Sequence, residues 1–395
     1  MTTEAKLTPA TQSAQRTIAP AQSFGAAARA YTMVAALIVV WLAFEYTTNG
    51  VFLNPRNFSN LMRQMAVTGV LSIGMLMVIV IGEIDLSVGS LVGLTGMVAA
   101  LAQAAQQWGI VPTLLSALVL GTLIGAIQGS VVAYARVPSF IVTLGGLLAW
   151  RGVTKGVSSG STIPIQLKRF GAIGQWYLDK PIGIALVIIG LILFVVFEWR
   201  NHAARTRLGL STATPVRRIL AIAIPAVAAI AFITVLNAYE GIPVPVLLFL
   251  AVALAGTFVM SNTTVGRYMY AVGGNREAAR LSGINTRLLT IGVFATMGLL
   301  TALAGIIYTA RVGSASPDAG MLLELDAIAA CVIGGASLMG GRGAVFGACM
   351  GALFMASLDN GMSLKNVPDF IQDIVKGGIL VVAVALDMLG RKRNS

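Results

Sequence analysis

Residues 181–199 read PIGIALVIIGLILFVVFEW, with one charge in nineteen positions, and this is one of twelve such apolar runs. The others lie near 28–46, 64–82, 86–104, 111–133, 139–157, 218–237, 244–261, 288–310, 322–340, 343–358 and 371–389. A helix needs about 20 such residues to cross a bilayer. Hydrocarbon offers no partner for an open backbone, so runs of this kind fold as helices. Composition agrees. The 395 residues are 57% apolar and 11% charged, against about 45–50% and about 25% in soluble domains. The expected fold is an all-α polytopic membrane protein of about 10–12 transmembrane helices. Collagen, coiled coil, disorder and a secreted disulfide scaffold are excluded. The third, fifth, tenth and eleventh runs are glycine-rich and weakly apolar, which suits half-spanning or broken helices.

Twelve spans place both termini on one side. With the N-terminus inside, 17 of the 27 basic residues fall inside, including the clusters at 200–218, 267–287 and 391–393. That is the bias expected of cytoplasmic loops, so the net charge of +12 points to membrane topology and not to nucleic acid. Residues 1–28 read as a disordered cytoplasmic tail, 29–389 as the transmembrane domain and 390–395 as a basic cytoplasmic tail. The first apolar run continues too long for a cleaved signal. The segment 151–180 carries Arg151, Lys155, Lys168, Arg169 and Lys180, yet falls outside. It is either a folded external cap or a sign of a miscounted span.

Much chemistry is missing. The single histidine, His202 in a basic loop, leaves no histidine metal site and no Ser-His-Asp triad. No phosphate-binding G-x-x-x-x-G-K-[ST] run occurs, and Gly340-Gly341-Arg342-Gly343 reads as a tight turn. No metal and no cofactor is expected, and no catalytic function. Cys331 and Cys349 lie in apolar stretches as small buried side chains. Gly121, Gly125 and Gly129, like Gly89 with Gly93 and Gly347 with Gly351, form the small-residue stripes of closely packed membrane helices.

Charges inside apolar stretches mark pathways or internal pairs. Glu83-Ile84-Asp85 precedes the third run, and Glu324-Leu325-Asp326 opens the tenth. The repeated Glu-x-Asp hints at two related halves. Two readings stay open for these acids. They stabilise helix starts, or Glu83, Asp85, Glu324 and Asp326, with Asn360 beside Asp359, line a translocation path. Lys376 and Asp373, one turn apart, read as a further pair.

The loop 262–287 holds Asn275-Arg276-Glu277-Ala278-Ala279-Arg280-Leu281-Ser282-Gly283-Ile284. This reads as a short helix capped by Asn275, with Glu277 at its positive end and Arg280 toward its negative end. Gly283 ends it in a left-handed conformation. A helix of this kind suits docking into a groove on a soluble partner, with Ala278, Ala279, Leu281 and Ile284 as contact surface. The alternative is a helix resting on lipid headgroups.

Four motifs in order, G-E-I-D-L-S-V-G-S (82–90), V-P-S-F-I-V-T-L-G-G (137–146), N-R-E-A-A-R-L-S-G-I (275–284) and E-L-D-A-I-A-A-C-V-I-G-G (324–335), resemble the monosaccharide ABC importer permeases. That is the ribose, xylose, arabinose and galactoside group. The resemblance runs from about residue 30 nearly to the end. The insertion at 181–240, which adds two spans, and M-A-S-L-D-N-G-M-S (355–363) look most like the D-xylose-type permeases of the group. The resemblance implies a non-catalytic subunit in the bacterial inner membrane, paired as a homodimer. ATP would be bound by separate ATPase subunits, and a periplasmic sugar-binding protein would deliver the substrate. It also implies that Asn275, Glu277, Ala278, Arg280 and Gly283 form the coupling helix that contacts the ATPase. The rival reading is a proton-coupled secondary sugar transporter.

Overall fold

The computed structural model describes residues 21–209 and 214–392. Among them are fifteen α-helices: α1 (Ala21–Thr47), α2 (Pro55–Val80), α3 (Val88–Ala104), α4 (Ile110–Ser130), α5 (Ser139–Val157), α6 (Lys168–Gln175), α7 (Lys180–Arg207), α8 (Pro215–Asn237), α9 (Val244–Asn262), α10 (Thr264–Gly274), α11 (Arg276–Leu281), α12 (Thr286–Val312), α13 (Leu323–Ile333), α14 (Val345–Leu364) and α15 (Asp369–Lys392). A π turn, Val131–Ala135, continues α4. Seven helices are long and apolar enough to cross a membrane: α2, α4 with its π turn, α7, α8 from Arg218 on, α9, α12 and α14. The tenth run, 322–340, is helical only over α13, eleven residues that cannot span alone. The eleventh extends to Leu364, so Asp359 and Asn360 lie inside α14 and not after it.

Two further boundaries differ from the sequence reading. The alanine-rich stretch from Ala21 is helical, so α1 begins within the expected tail, as alanine's helix propensity favours. Residues 200–207, read as loop, continue α7 with Arg205 and Arg207 in its last turn, where cations suit the helix dipole. His202 is thus a helical residue. Residues 1–20 of the expected tail, 210–213 of the basic loop and 393–395 of the basic tail lie outside the described residues.

The core is built on α2, of whose apolar window 89% is buried, and α12. Around them the packing repeats in exchanged form. α12 lies against α4 and α3, α2 lies against α14 and α13, α5 leans on α3, and α15 leans on α13. The contacts of α2–α5 are thus matched by those of α12–α15, although the two Glu-x-Asp motifs sit differently, one ahead of α3 and the other inside the first turn of α13. The two runs point in opposite directions. Glu83, just past the end of α2, pairs with Arg276, just before α12. Arg63, near the start of α2, stacks at 5.5 Å over Tyr177, in the segment that packs on the far end of α12. This is an inverted repeat.

Segment 158–179 is the folded cap of the two alternatives. It carries α6 and two short strands, β1 (Ile163–Pro164) and β2 (Tyr177–Leu178). These pair antiparallel with β4 (Ser314–Ala315) and β3 (Ile242–Pro243) respectively. Gln103 of α3 accepts hydrogen bonds from the backbone N–H groups of Gln166 and Leu167. Gln175 donates to the Ala310 carbonyl at 3.1 Å. All of this lies at the end opposite α11. The α7–α8 insertion stands apart, its two helices exposed along most of their length, as expected of a lipid-facing hairpin.

The Gly121 stripe packs α4 onto α12. Gly121 and Gly125 meet Gly298, and a Cβ on Gly298 would land on the Gly121 carbonyl. Lipid supplies no hydrophobic drive between helices, so this close approach is what holds them. Gly298→Val is expected to cost about 1–3 kcal/mol of stability by overpacking, read as earlier thermal unfolding in detergent. An unchanged midpoint would refute this account of the α4–α12 contact.

Candidate functional site

The two Glu-x-Asp motifs each precede or open a short helix, and the fold sets the two helix starts against each other. Glu324, in the first turn of α13, abuts Gly89 in the first turn of α3. Arg151 reaches the chain that leads into α13, donating to the carbonyls of Pro317 (3.1 Å) and Ala319 (2.7 Å). Sequence reasoning put Arg151 in an outer loop. It belongs to α5, and it turns inward to hold the turns that lead into α13.

Asp85 is buried, and its Oδ1 accepts from the Ser87 N–H (2.9 Å) and Ser87 Oγ (2.6 Å). Ser87 also meets the Gln128 side chain. Asp85 thus closes a side-chain turn onto Ser87, immediately ahead of α3. The loop before α3 is held by the motif at 137–146. Ser139 Oγ accepts from the Ile84 N–H at 3.1 Å, Thr143 Oγ1 donates to the Ile84 carbonyl at 3.3 Å, and Gly146 leaves room for Gln128.

Asp326 and Asp359 share Lys376, whose Nζ lies 3.3 Å from one and 2.8 Å from the other. Lys376 had been paired with Asp373 from its spacing, but Asp373 is exposed. The lysine turns instead to the buried Asp326 and the half-buried Asp359, where Coulomb attraction is screened less. The candidate path residues thus do not form one cluster. Asp85, Glu324 and Asp326 are buried around the facing helix starts. Glu83 goes to Arg276, which also donates to Thr290 Oγ1 at 2.9 Å. Asn360 pairs with Asn57 of α2 at 2.7 Å.

At the other site, α11 is capped as expected. Asn275 Oδ1 accepts from the Ala278 N–H at 2.9 Å, and Gly283 has φ +87°. Arg280 donates twice to Glu277, at 2.6 and 3.1 Å. The guanidinium beside Glu277 holds that carboxyl below its ordinary range, so the pair stays ionised at and below neutral pH. The expected contact surface needs one correction. Ala279 is buried and Ile284 half-buried, so both anchor α11 to the bundle. Glu277, Ala278, Arg280 and Leu281 point outward, Leu281 at 75% exposure. A single-turn helix has to spend one face on attachment.

Sequence reasoning missed roles for Gln128, Ser139, Thr143 and Arg151. The spacing of Ser139, Thr143 and Gly146 on one helical face was a usable signal. Arg151 and Gln128 carried none, because their partners are backbone carbonyls and a serine far away in sequence.

Residues 57–384 match the family described as branched-chain amino acid transport system, permease component. The chain belongs to this permease family. Among its relatives, the xylose transport system permease protein XylH of Escherichia coli K12 is 49% identical over 364 residues, covering 92% of this chain and 93% of that one. XylH of Haemophilus influenzae is 47% identical over 365 residues, 92% and 97% of the two chains. The ribose import permease protein RbsC of E. coli K12 is 34% identical over 357 residues, 90% and 92%. No solved structure matches the chain. The permease is a multi-pass membrane protein. Asp85→Asn is expected to keep uptake and to cost about 1 kcal/mol or less, because asparagine retains the oxygen that Ser87 uses. A well-folded Asp85→Asn permease that moves no substrate would contradict this.

Proposed function

We propose that the permease is the membrane subunit of an ATP-driven importer that moves a monosaccharide, D-xylose, across the bacterial inner membrane. The observation that carries the reading is α11, a capped helix anchored by Ala279 and Ile284 that presents Glu277, Ala278, Arg280 and Leu281 outward. Asn275 and Gly283 set its two ends. Separate ATPase subunits dock on it, bind ATP and hydrolyse it, while this chain holds no cofactor and catalyses nothing. A periplasmic sugar-binding protein delivers substrate at the capped end. Two identical copies form the path, in keeping with the closed symmetry usual for such assemblies. The choice of xylose over ribose follows the names of the relatives that share nearly half of the residues.

Proton coupling needs ionisable relay groups free to exchange protons deep in the spans. In the fold Asp85 is bonded to Ser87, Glu83 to Arg276, and Asp326 and Asp359 share Lys376. The test is uptake of labelled xylose into liposomes holding the permease, ATPase and binding protein. Uptake is expected to require ATP. Uptake driven by an imposed pH gradient without ATP would overturn the reading.

A further inference from the structure

Glu83 and Arg276 are 193 residues apart in sequence and meet as an ion pair. The Glu83 side chain is only 12% exposed, and the Arg276 side chain 43%. Arg276 is the first residue of α11, directly after its Asn275 cap. Its second guanidinium nitrogen is fixed by Thr290 on α12. Glu83 opens the segment that runs through Asp85 and Ser87 into α3, whose first turn carries Gly89 against Glu324. The rest of that segment hangs on neutral hydrogen bonds, Ile84 to Ser139 and Thr143 and Ser87 to Gln128. The same corner is closed by backbone contact, with the Gly341 N–H donating to the Val80 carbonyl at 2.9 Å.

We infer that the Glu83–Arg276 pair is the link that carries displacement of the docking helix α11 to the start of α3, and so to the facing half-helices. This rests on the reading of α11 as the ATPase dock. The pair is suited to the task for three reasons. It is partly desolvated, so its attraction is not fully screened. It joins an exposed element to a buried one. Its Glu83 also lies five residues before Val88, the first residue of α3. Both are positioning residues, since neither is argued to touch substrate.

The experiment uses the full complex in liposomes. Glu83→Gln and Arg276→Gln are each expected to retain captured ATPase, while sugar moved per ATP hydrolysed falls about tenfold. The exchange Glu83→Arg with Arg276→Glu is expected to recover most of that ratio. Arg276→Lys, which keeps the charge, is expected to lose less than Arg276→Gln. A parental ratio in both single variants overturns the inference. So does a loss that merely follows the amount of assembled complex, or an exchange no better than the single changes. Failure of the dock reading looks different: ATPase would then remain bound after charge reversal at Glu277, whatever the ratio in the Glu83 and Arg276 variants.

Discussion

Glu277→Lys is expected to strip the ATPase from the permease and to stop pentose uptake while leaving the bundle folded. The carboxylate is on the exposed face of α11 and is held ionised by Arg280. Reversal sets a second cation beside that arginine and turns an attractive contact with the partner into a repulsive one. Like charges meeting in an interface cost several kcal/mol, so capture should fall by about 100-fold or more. Inside the permease the change is mild. A like-charge pair on an exposed turn costs about 0.2–0.5 kcal/mol, and the anchors Ala279 and Ile284 are untouched. The check is ATPase pull-down beside uptake. If Glu277→Lys captures ATPase and transports at the parental rate, α11 is not the dock.

Lys376→Met is expected to have the largest effect on stability. Lys376 is the shared cation of the buried Asp326 on α13 and the half-buried Asp359 on α14, and it attaches α15 to both. Removing one partner of a buried pair costs about 3–5 kcal/mol, because the charge left behind has lost its compensation. Thermal unfolding in detergent should begin much earlier. The triple change Lys376→Met, Asp326→Asn, Asp359→Asn should recover most of the loss, since no uncompensated charge remains. An unaltered midpoint for the single variant would show that the three groups do not stabilise the fold together.

Helices and their faces were readable because lipid permits few alternatives. Length and apolarity alone placed α2, α4, α7, α8, α9 and α12 close to where they lie. The α11 cap was readable because it is local, with asparagine, acid, base and glycine spaced for one turn. The repeated Glu-x-Asp gave the two halves, but not that their helix starts face each other, nor that one half is inverted. The failures share a cause. Lys376 was matched to its sequence neighbour Asp373, while burial made Asp326 and Asp359 the stronger partners. Arg151 looked like a loop cation because its ligands are carbonyls on a segment 166 and 168 residues away. Long-range satisfaction of a charge leaves no periodic trace.

The strand ties at the capped end have a mechanical consequence. β1 belongs to the chain following α5 and β4 to the chain following α12, so their pairing rivets one half of the repeat to the other at that rim. Gln175, bound to the last turn of α12, adds a second rivet beside it. At the opposite rim the corresponding connections are a salt bridge and glycine-lined turns. Backbone pairing at one rim, set against one ion pair and turns at the other, makes the capped rim the stiffer fastening of the two halves and leaves the rim that carries α11 the more compliant one.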